Sequence, residues 1–194
     1  MILKNRLGNQ KGLYSAKYKY TLKNGRIYYS LYRNNEWQGY TNTGAFKSIV
    51  WNNIKDYIVY ANSDFMTYSN KELNNKKTSI KKMSIPMIVK GYYIINNKKY
   101  LSLYSTSDVW LGYIEENKVD KLKWINIEDK KIDIKYSIRC YKSSIDLMKS
   151  QNDFEVSGKA VVKGYYKLGT TGTMASLYDE NNNWIGYCYG SNLK

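Results

Sequence analysis

With 194 residues, 31 lysines and arginines against 16 aspartates and glutamates, and no histidine, the chain carries a net charge of +15 and lacks the commonest general base. Ser-His and Cys-His relays and His-ligated zinc are thereby excluded, two cysteines argue against a disulfide framework or a multi-cysteine zinc site, and no apolar run of about 18 residues offers a membrane-spanning helix. A field of this sign attracts polyanions, with +8 of it in residues 1–48, +4 in 49–122 and +3 in 123–194; AT-rich coding, which raises Lys, Asn, Ile and Tyr together, is its other source.

Along the chain, Met1-Ile2-Leu3-Lys4-Asn5-Arg6 turns polar before the apolar core of a secretion signal can form. Residues 14–32 then alternate tyrosine with polar residues around Lys23-Asn24-Gly25-Arg26, which reads as strand, turn, strand. A polar break, Arg33-Asn34-Asn35-Glu36, leads to a strand carrying Trp37-Gln38-Gly39-Tyr40. Asp56 to Tyr60 alternates like a half-buried strand, about 20 looser polar residues follow, and Pro86 suits an edge or a bulge. Gly91 to Ile95 and Tyr100 to Tyr104 form the next hairpin around Asn96-Asn97-Lys98-Lys99; Ser105-Thr106-Ser107-Asp108 and Trp110-Leu111-Gly112-Tyr113 come after it. Lys131 to Tyr141 alternates again, Ser143 to Met148 suffices for one helical turn, and Gly169-Thr170-Thr171-Gly172 turns the last hairpin. Asp179 to Asn183 and Trp184-Ile185-Gly186-Tyr187 close the series.

These elements repeat. Ser30-Leu31-Tyr32, Ser102-Leu103-Tyr104 and Ser176-Leu177-Tyr178 each precede a Trp-x-Gly-Tyr strand; Val89-Lys90-Gly91-Tyr92-Tyr93 returns as Val162-Lys163-Gly164-Tyr165-Tyr166, with Tyr18-Lys19-Tyr20 in the matching place of the first copy. All five tryptophans fall on two positions of one unit of about 73 residues, Trp51 and Trp124 on one of them. Compact domains of roughly 55–65 residues already fold alone, so each unit is expected to be a small all-β domain. The expected division is a partial first repeat over 1–48, a second over 49–121 and a third over 122–194. Because the chain starts inside a repeat, a missing upstream part is expected.

The combined motif set resembles the GW modules, SH3-like repeats that hold autolysins and surface adhesins of Gram-positive bacteria on the cell wall. The resemblance covers nearly the whole chain, although the Gly-Trp pair that names the family is Gly-Tyr here, at Gly39-Tyr40, Gly112-Tyr113 and Gly186-Tyr187. It implies tandem small SH3-like barrels, two complete and one partial. It also implies binding without catalysis or cofactor, to teichoic or lipoteichoic acid, on the outside of the cell and joined to an upstream domain. A peptidoglycan-binding SH3 module, an adhesin for host glycosaminoglycans and a nucleic-acid binder would draw on the same charge, but an RNP, helix-turn-helix or zinc-finger signature is lacking.

The candidate ligand residues are Trp37, Trp110 and Trp184, Tyr40, Tyr113 and Tyr187, Tyr32, Tyr104 and Tyr178, and Lys90 and Lys163. Lysine supplies salt-sensitive attraction for phosphate, and an aromatic face stacks on sugar or polyol. Each has a structural alternative. A tryptophan once per domain also serves as a core anchor, and a lysine in a strand also lines a solvated face. Tyrosine next to leucine in a period-two strand points outward if the leucine points inward. Trp51 and Trp124 are expected to pack one unit on the next. Paired carboxylates such as Glu115-Glu116 and Asp179-Glu180 lie in turns, and no acid or nucleophile recurs between copies. Cys140 and Cys188 are either two buried thiols or one bridge.

Overall fold

The computed structural model describes residues 12–46, 49–170 and 172–193. The readings of Met1 to Arg6 and Thr171, and the repeat end at Ser48, lie outside the described residues. Among the described residues the fold is all-β apart from one short helix and three 3-10 turns, and the chain divides into two compact units, Met1–Ile49 and Val50–Lys194. No helix is long and apolar enough to cross a membrane among the described residues.

The first unit holds an antiparallel sheet of β1 (Ser15–Thr21), β2 (Ile27–Arg33) and β3 (Glu36–Asn42), in that order. Asn34 and Asn35, at φ 51° and 64°, make the two-residue turn between β2 and β3. Two consecutive left-handed residues match the twist of the paired strands, and asparagine tolerates that conformation well. The second unit repeats the device at Asn96 and Asn97, at φ 50° and 63°.

That unit begins with β4 (Trp51–Ala61), β5 (Phe65–Tyr68), β6 (Lys76–Ile80), β7 (Met87–Ile95), β8 (Lys98–Tyr104), β9 (Trp110–Glu115) and β10 (Val119–Lys121), joined in the order β10-β4-β7-β8-β9-β5-β6. Then β11 (Trp124–Tyr141), α1 (Ser144–Lys149), β12 (Asp153–Leu168), β13 (Gly172–Tyr178) and β14 (Trp184–Tyr189) form a closed four-stranded barrel. The two patterns correspond. The long β11 supplies what β4 and β5 supply separately, since Tyr68 pairs with Tyr113 and Tyr141 pairs with Tyr187. Likewise β12 runs unbroken where β6 and β7 are interrupted by Lys81 to Pro86, with Met83 at φ 53°. Proline cannot donate to a ladder, so the strand resumes only beyond it.

The stretches expected as long polar loops are thus largely strand: β5, β6 and the first half of β12. The edge position of β6 allows a mostly solvent-facing Lys76-Lys77-Thr78-Ser79 sequence, which hides the apolar alternation that marks a half-buried strand. The single helical turn forms at Ser144–Lys149, with the Ser143 hydroxyl accepting from the Asp146 amide at 3.0 Å.

The core of the seven-stranded sheet gathers Val59, Ala61, Met87, Val89, Leu101, Leu103 and Ile114; that of the barrel gathers Ile134, Ala160, Val162, Leu177 and both cysteines. Tyrosine contributes little to either interior: Tyr60 and Tyr141 are the buried ones among the described residues. The other described rings lie partly or wholly in solvent. Cys140 and Cys188 are free thiols, fully buried.

In β8, Leu101, Ser102 and Leu103 are buried in succession, although side chains alternate across a strand. The leucines enter the core; Ser102 faces the other way and is covered from outside. The same holds for Ser176 beside Leu177. What covers these serines is the candidate site.

Candidate functional site: an aromatic ledge with lysines on each repeat

Gly91 pairs with Ser102, and together they form a low floor on the outer face of β7 and β8. The Trp51 indole lies against this floor: a Cβ on Gly91 would stand 2.0 Å from Trp51 Cζ2. From the opposite side the Trp110 indole N–H donates to Ser102 Oγ at 2.9 Å. Tyr93 and Tyr113 complete the ledge, with ring centroids at 5.1 Å for Trp51 and Tyr93, 5.6 Å for Tyr93 and Tyr113, and 5.2 Å for Trp110 and Tyr113. The tilted and edge-on arrangements suit the ring quadrupoles and leave ring faces available.

The barrel rebuilds this ledge. Trp124 lies over Gly164, at 2.2 Å from the position of a Cβ, and the Trp184 N–H donates to Ser176 Oγ at 2.9 Å. Trp124 and Tyr166, Tyr166 and Tyr187, and Trp184 and Tyr187 stand at 5.0, 6.0 and 5.3 Å. Trp51 and Trp124 therefore each join the ledge of their own repeat, which corrects their expected role at the junctions. The glycine of Val-Lys-Gly-Tyr-Tyr exists because an indole occupies the space of a side chain.

In the first unit Tyr18 stands in the glycine's place, paired with Ser30, and is 57% exposed. Tyr20 and Tyr40 meet at 5.2 Å and Trp37 and Tyr40 at 5.4 Å, so the outer half of the ledge is preserved. Among the described residues Ser30 Oγ is buried without a hydrogen-bond partner.

The Trp-x-Gly-Tyr tryptophans are outer-face residues, and the core-anchor alternative does not apply to them. Trp37 and Trp184 are 41% and 39% exposed, and Trp110 is half-buried. Their outward setting comes from a β-bulge: the register shifts opposite Leu31/Tyr32, Leu103/Tyr104 and Leu177/Tyr178 leave Gln38, Leu111 and Ile185 as extra residues. Tyr32, Tyr104 and Tyr178 point away from the buried leucines beside them and remain half-exposed, in agreement with the period-two reading.

A second bulge aims the lysines. Lys90 and Lys163 are the extra residues between Val89 and Gly91 and between Val162 and Gly164, and their ammonium groups stand over the rings of Tyr104 and Tyr178 at 4.7 and 4.9 Å. Lys17, between Ala16 and Tyr18, is the same bulge residue in the first unit and stands 4.4 Å over Tyr32. The motif comparison passes over Lys17 because neither valine nor glycine flanks it. Three more lysines come from outside the motifs: Lys71 over Tyr93 at 4.2 Å, Lys77 over Trp110 at 3.7 Å, and Lys142 over Trp184 at 5.6 Å. Nothing in the sequence marks them, since they reach the rings only through the folding of β5, β6 and β11.

The copies differ in charge. Lys90 pairs with Asp108 at 2.8 Å, and Asp108 also pairs with Lys149 of α1 at 2.6 Å, which ties the second repeat to the third. Hydrogen bonds from Lys149 and Lys90 hold the Asp108 carboxyl below its ordinary range and raise Lys90. Lys163 instead donates to the amide of Asn182, with the Asp129 carboxylate 3.6 Å away. Lys17 has no acidic partner within salt-bridge distance among the described residues.

Burial, and next the neighbouring Tyr93 or Tyr166, pushes the Tyr113 and Tyr187 phenols up to about 12. Because the unfolded-state value is about 10, their neutral forms favour the folded chain. That contribution is whole below pH 10 and fades as the pH rises towards 12. Folding stability is therefore expected to fall over this alkaline window, and Y113F with Y187F flattens the fall. Urea midpoints taken at successive pH values check it; an unchanged pH profile in the double variant refutes the assignment.

Fold and ledges together define the class: an all-β tandem-repeat protein presenting an aromatic surface with lysines on each repeat. No protein-family model matches the chain, and no curated protein matches it. Among solved structures it is similar to a candidate autolysin from Listeria monocytogenes, at 11% identity and a TM-score of 0.33, over 83% of this chain and 72% of that one. A likeness this distant bears on neither ligand nor activity.

Proposed function

We propose that the chain is a non-catalytic targeting module that binds an anionic polymer of a Gram-positive cell wall, teichoic or lipoteichoic acid, through successive ledges on SH3-like, GW-type repeats spanning 1–48, 49–121 and 122–194. One observation supports this reading above the rest: in all three copies a bulged lysine stands over the tyrosine next to a Trp-Tyr edge cluster. Ring faces of Trp37 and Tyr40, Trp110 and Tyr113, and Trp184 and Tyr187 take the apolar faces of sugar or polyol. Lys17, Lys90 and Lys163, beside Tyr32, Tyr104 and Tyr178, take phosphate.

A single exposed ring with one lysine binds weakly. Tandem sites on one polymer raise the apparent affinity by an effective concentration on the order of mM, for a gain of roughly 10²–10⁴. The module would act outside the cell, bringing an attached wall hydrolase, bacteriocin or adhesin to its surface.

The test is sedimentation with purified Gram-positive walls, before and after acid extraction of teichoic acid, at low and high salt. Loss of binding on extraction, together with weakening by salt, is the expected result. Undiminished binding to extracted walls transfers the ligand to peptidoglycan. Binding to neither, with retention on heparin, overturns the wall reading in favour of host glycosaminoglycans.

A further inference from the structure

The barrel is closed by a short seam. Between β11 and β14 the register comprises the single pair Tyr141 and Tyr187, whereas the β11–β12 and β13–β14 ladders are extended. Antiparallel pairing of Tyr141 with Tyr187 sets Cys140 directly opposite Cys188. Both are fully buried in the same core cluster. The second repeat has Thr67 and Ile114 at the corresponding places, so the arrangement belongs to the barrel alone.

We propose that Cys140 and Cys188 are a modification site: a dithiol that an external disulfide oxidises to a cross-strand bond, latching the β11–β14 seam. Directly opposed cysteines on neighbouring antiparallel strands bring their Cβ atoms close to the separation that a disulfide requires. Oxidation begins on Cys140, whose thiol is drawn down by the Cys188 thiol and by Lys142 nearby, while Cys188 is pushed up by Cys140 and by burial. The Cys140 thiolate attacks one sulfur of a disulfide such as oxidised glutathione, forming a mixed disulfide and releasing one glutathione thiolate. The Cys188 thiol then loses its proton and attacks Cys140 Sγ, releasing the second glutathione thiolate. Two electrons pass from the cysteine pair to the oxidant, and the two protons pass to solvent or to the released thiolates. Because both sulfurs are buried, the exchange proceeds through opening of the seam, whose single pair is the barrel's weakest closure.

The consequence is mechanical as well as thermodynamic. A link closing a loop of about 50 residues removes freedom mainly from the unfolded chain and is expected to raise Tm by roughly 5–10 °C. It does not depend on the wall-binding reading, and wall binding does not depend on it.

The experiment uses the full chain, reduced and then incubated with oxidised glutathione. Excess oxidant is removed, the chain is denatured without reductant, alkylated and weighed intact. A mass lower than the reduced chain by about 2 Da, no alkylation, and recovery of two alkylatable thiols after dithiothreitol is the expected outcome. Two alkylated cysteines, or glutathione retained on both, overturns the proposal. As a second readout, C140S and C188S each stop at a mixed disulfide or a dimer, and neither gains the rise in Tm; an oxidant-dependent rise in either variant also counts against the latch.

Discussion

Gly112→Ala is expected to destabilise the second unit by roughly 3–5 kcal/mol. Two costs combine there. Gly112 holds φ at 126°, a conformation that side-chain-bearing residues rarely adopt, and a Cβ would stand 2.7 Å from the Tyr68 carbonyl oxygen and 2.9 Å from Thr67 Oγ1. Tyr68 is also the residue through which β5 pairs with β9, so the strand cannot retreat without loosening the sheet. Thr67, fully buried, has its hydroxyl bonded to Leu111 O at 2.6 Å, which pins the same approach. Gly25→Ala is the control: its φ is 77° and nothing lies within 4 Å of a Cβ, so only the backbone term remains, roughly 1–2 kcal/mol. Urea unfolding followed by tryptophan fluorescence separates the two. Equal losses in both variants would show that close approach of β5 contributes nothing.

The second large effect concerns binding. Trp110→Ala and Trp184→Ala are each expected to weaken attachment to purified lipoteichoic acid about tenfold, and the double variant on the order of a hundredfold or more, because each removes one ring surface from a tandem array. Folding should suffer less, by roughly 1–2 kcal/mol, since both rings are partly solvated and the principal loss is one indole hydrogen bond to Ser102 or Ser176. Trp184→Phe keeps a ring without that N–H and should retain most of the affinity. Lys142 stands 5.6 Å over the same ring, so restored binding in the phenylalanine variant should keep its salt dependence. Full affinity in the double alanine variant, with the fold intact, would remove the ledges from the binding surface and leave charge alone to account for attachment.

Much of this architecture was legible before any coordinates. The hairpin turns lay where Asn-Asn and Asn-Gly interrupt the alternation, and the single helical turn formed within the stretch from Ser143. The outward setting of Tyr32, Tyr104 and Tyr178 followed from the leucine beside each. Strands β5 and β6 were not legible, because an edge strand facing solvent with lysine and threonine has no hydrophobic period to read. The same reason hid Lys71 and Lys77, which reach aromatic rings only after those strands fold back, while Lys142 reaches Trp184 only through the return of β14 beside β11.

Sequence alone determined the repeat, the β class, the absence of histidine chemistry and the net charge of +15, since each is a matter of period or composition. The tertiary structure decided which way the tryptophans face and what the recurrent Gly and Ser are for. Trp51 and Trp124 are a long way in sequence from Gly91 and Gly164, and a large indole resting on a residue without a side chain is a pairing that no local pattern encodes. Bulges then turn lysine and tryptophan to one surface, because one extra residue in a ladder re-aims every side chain around it.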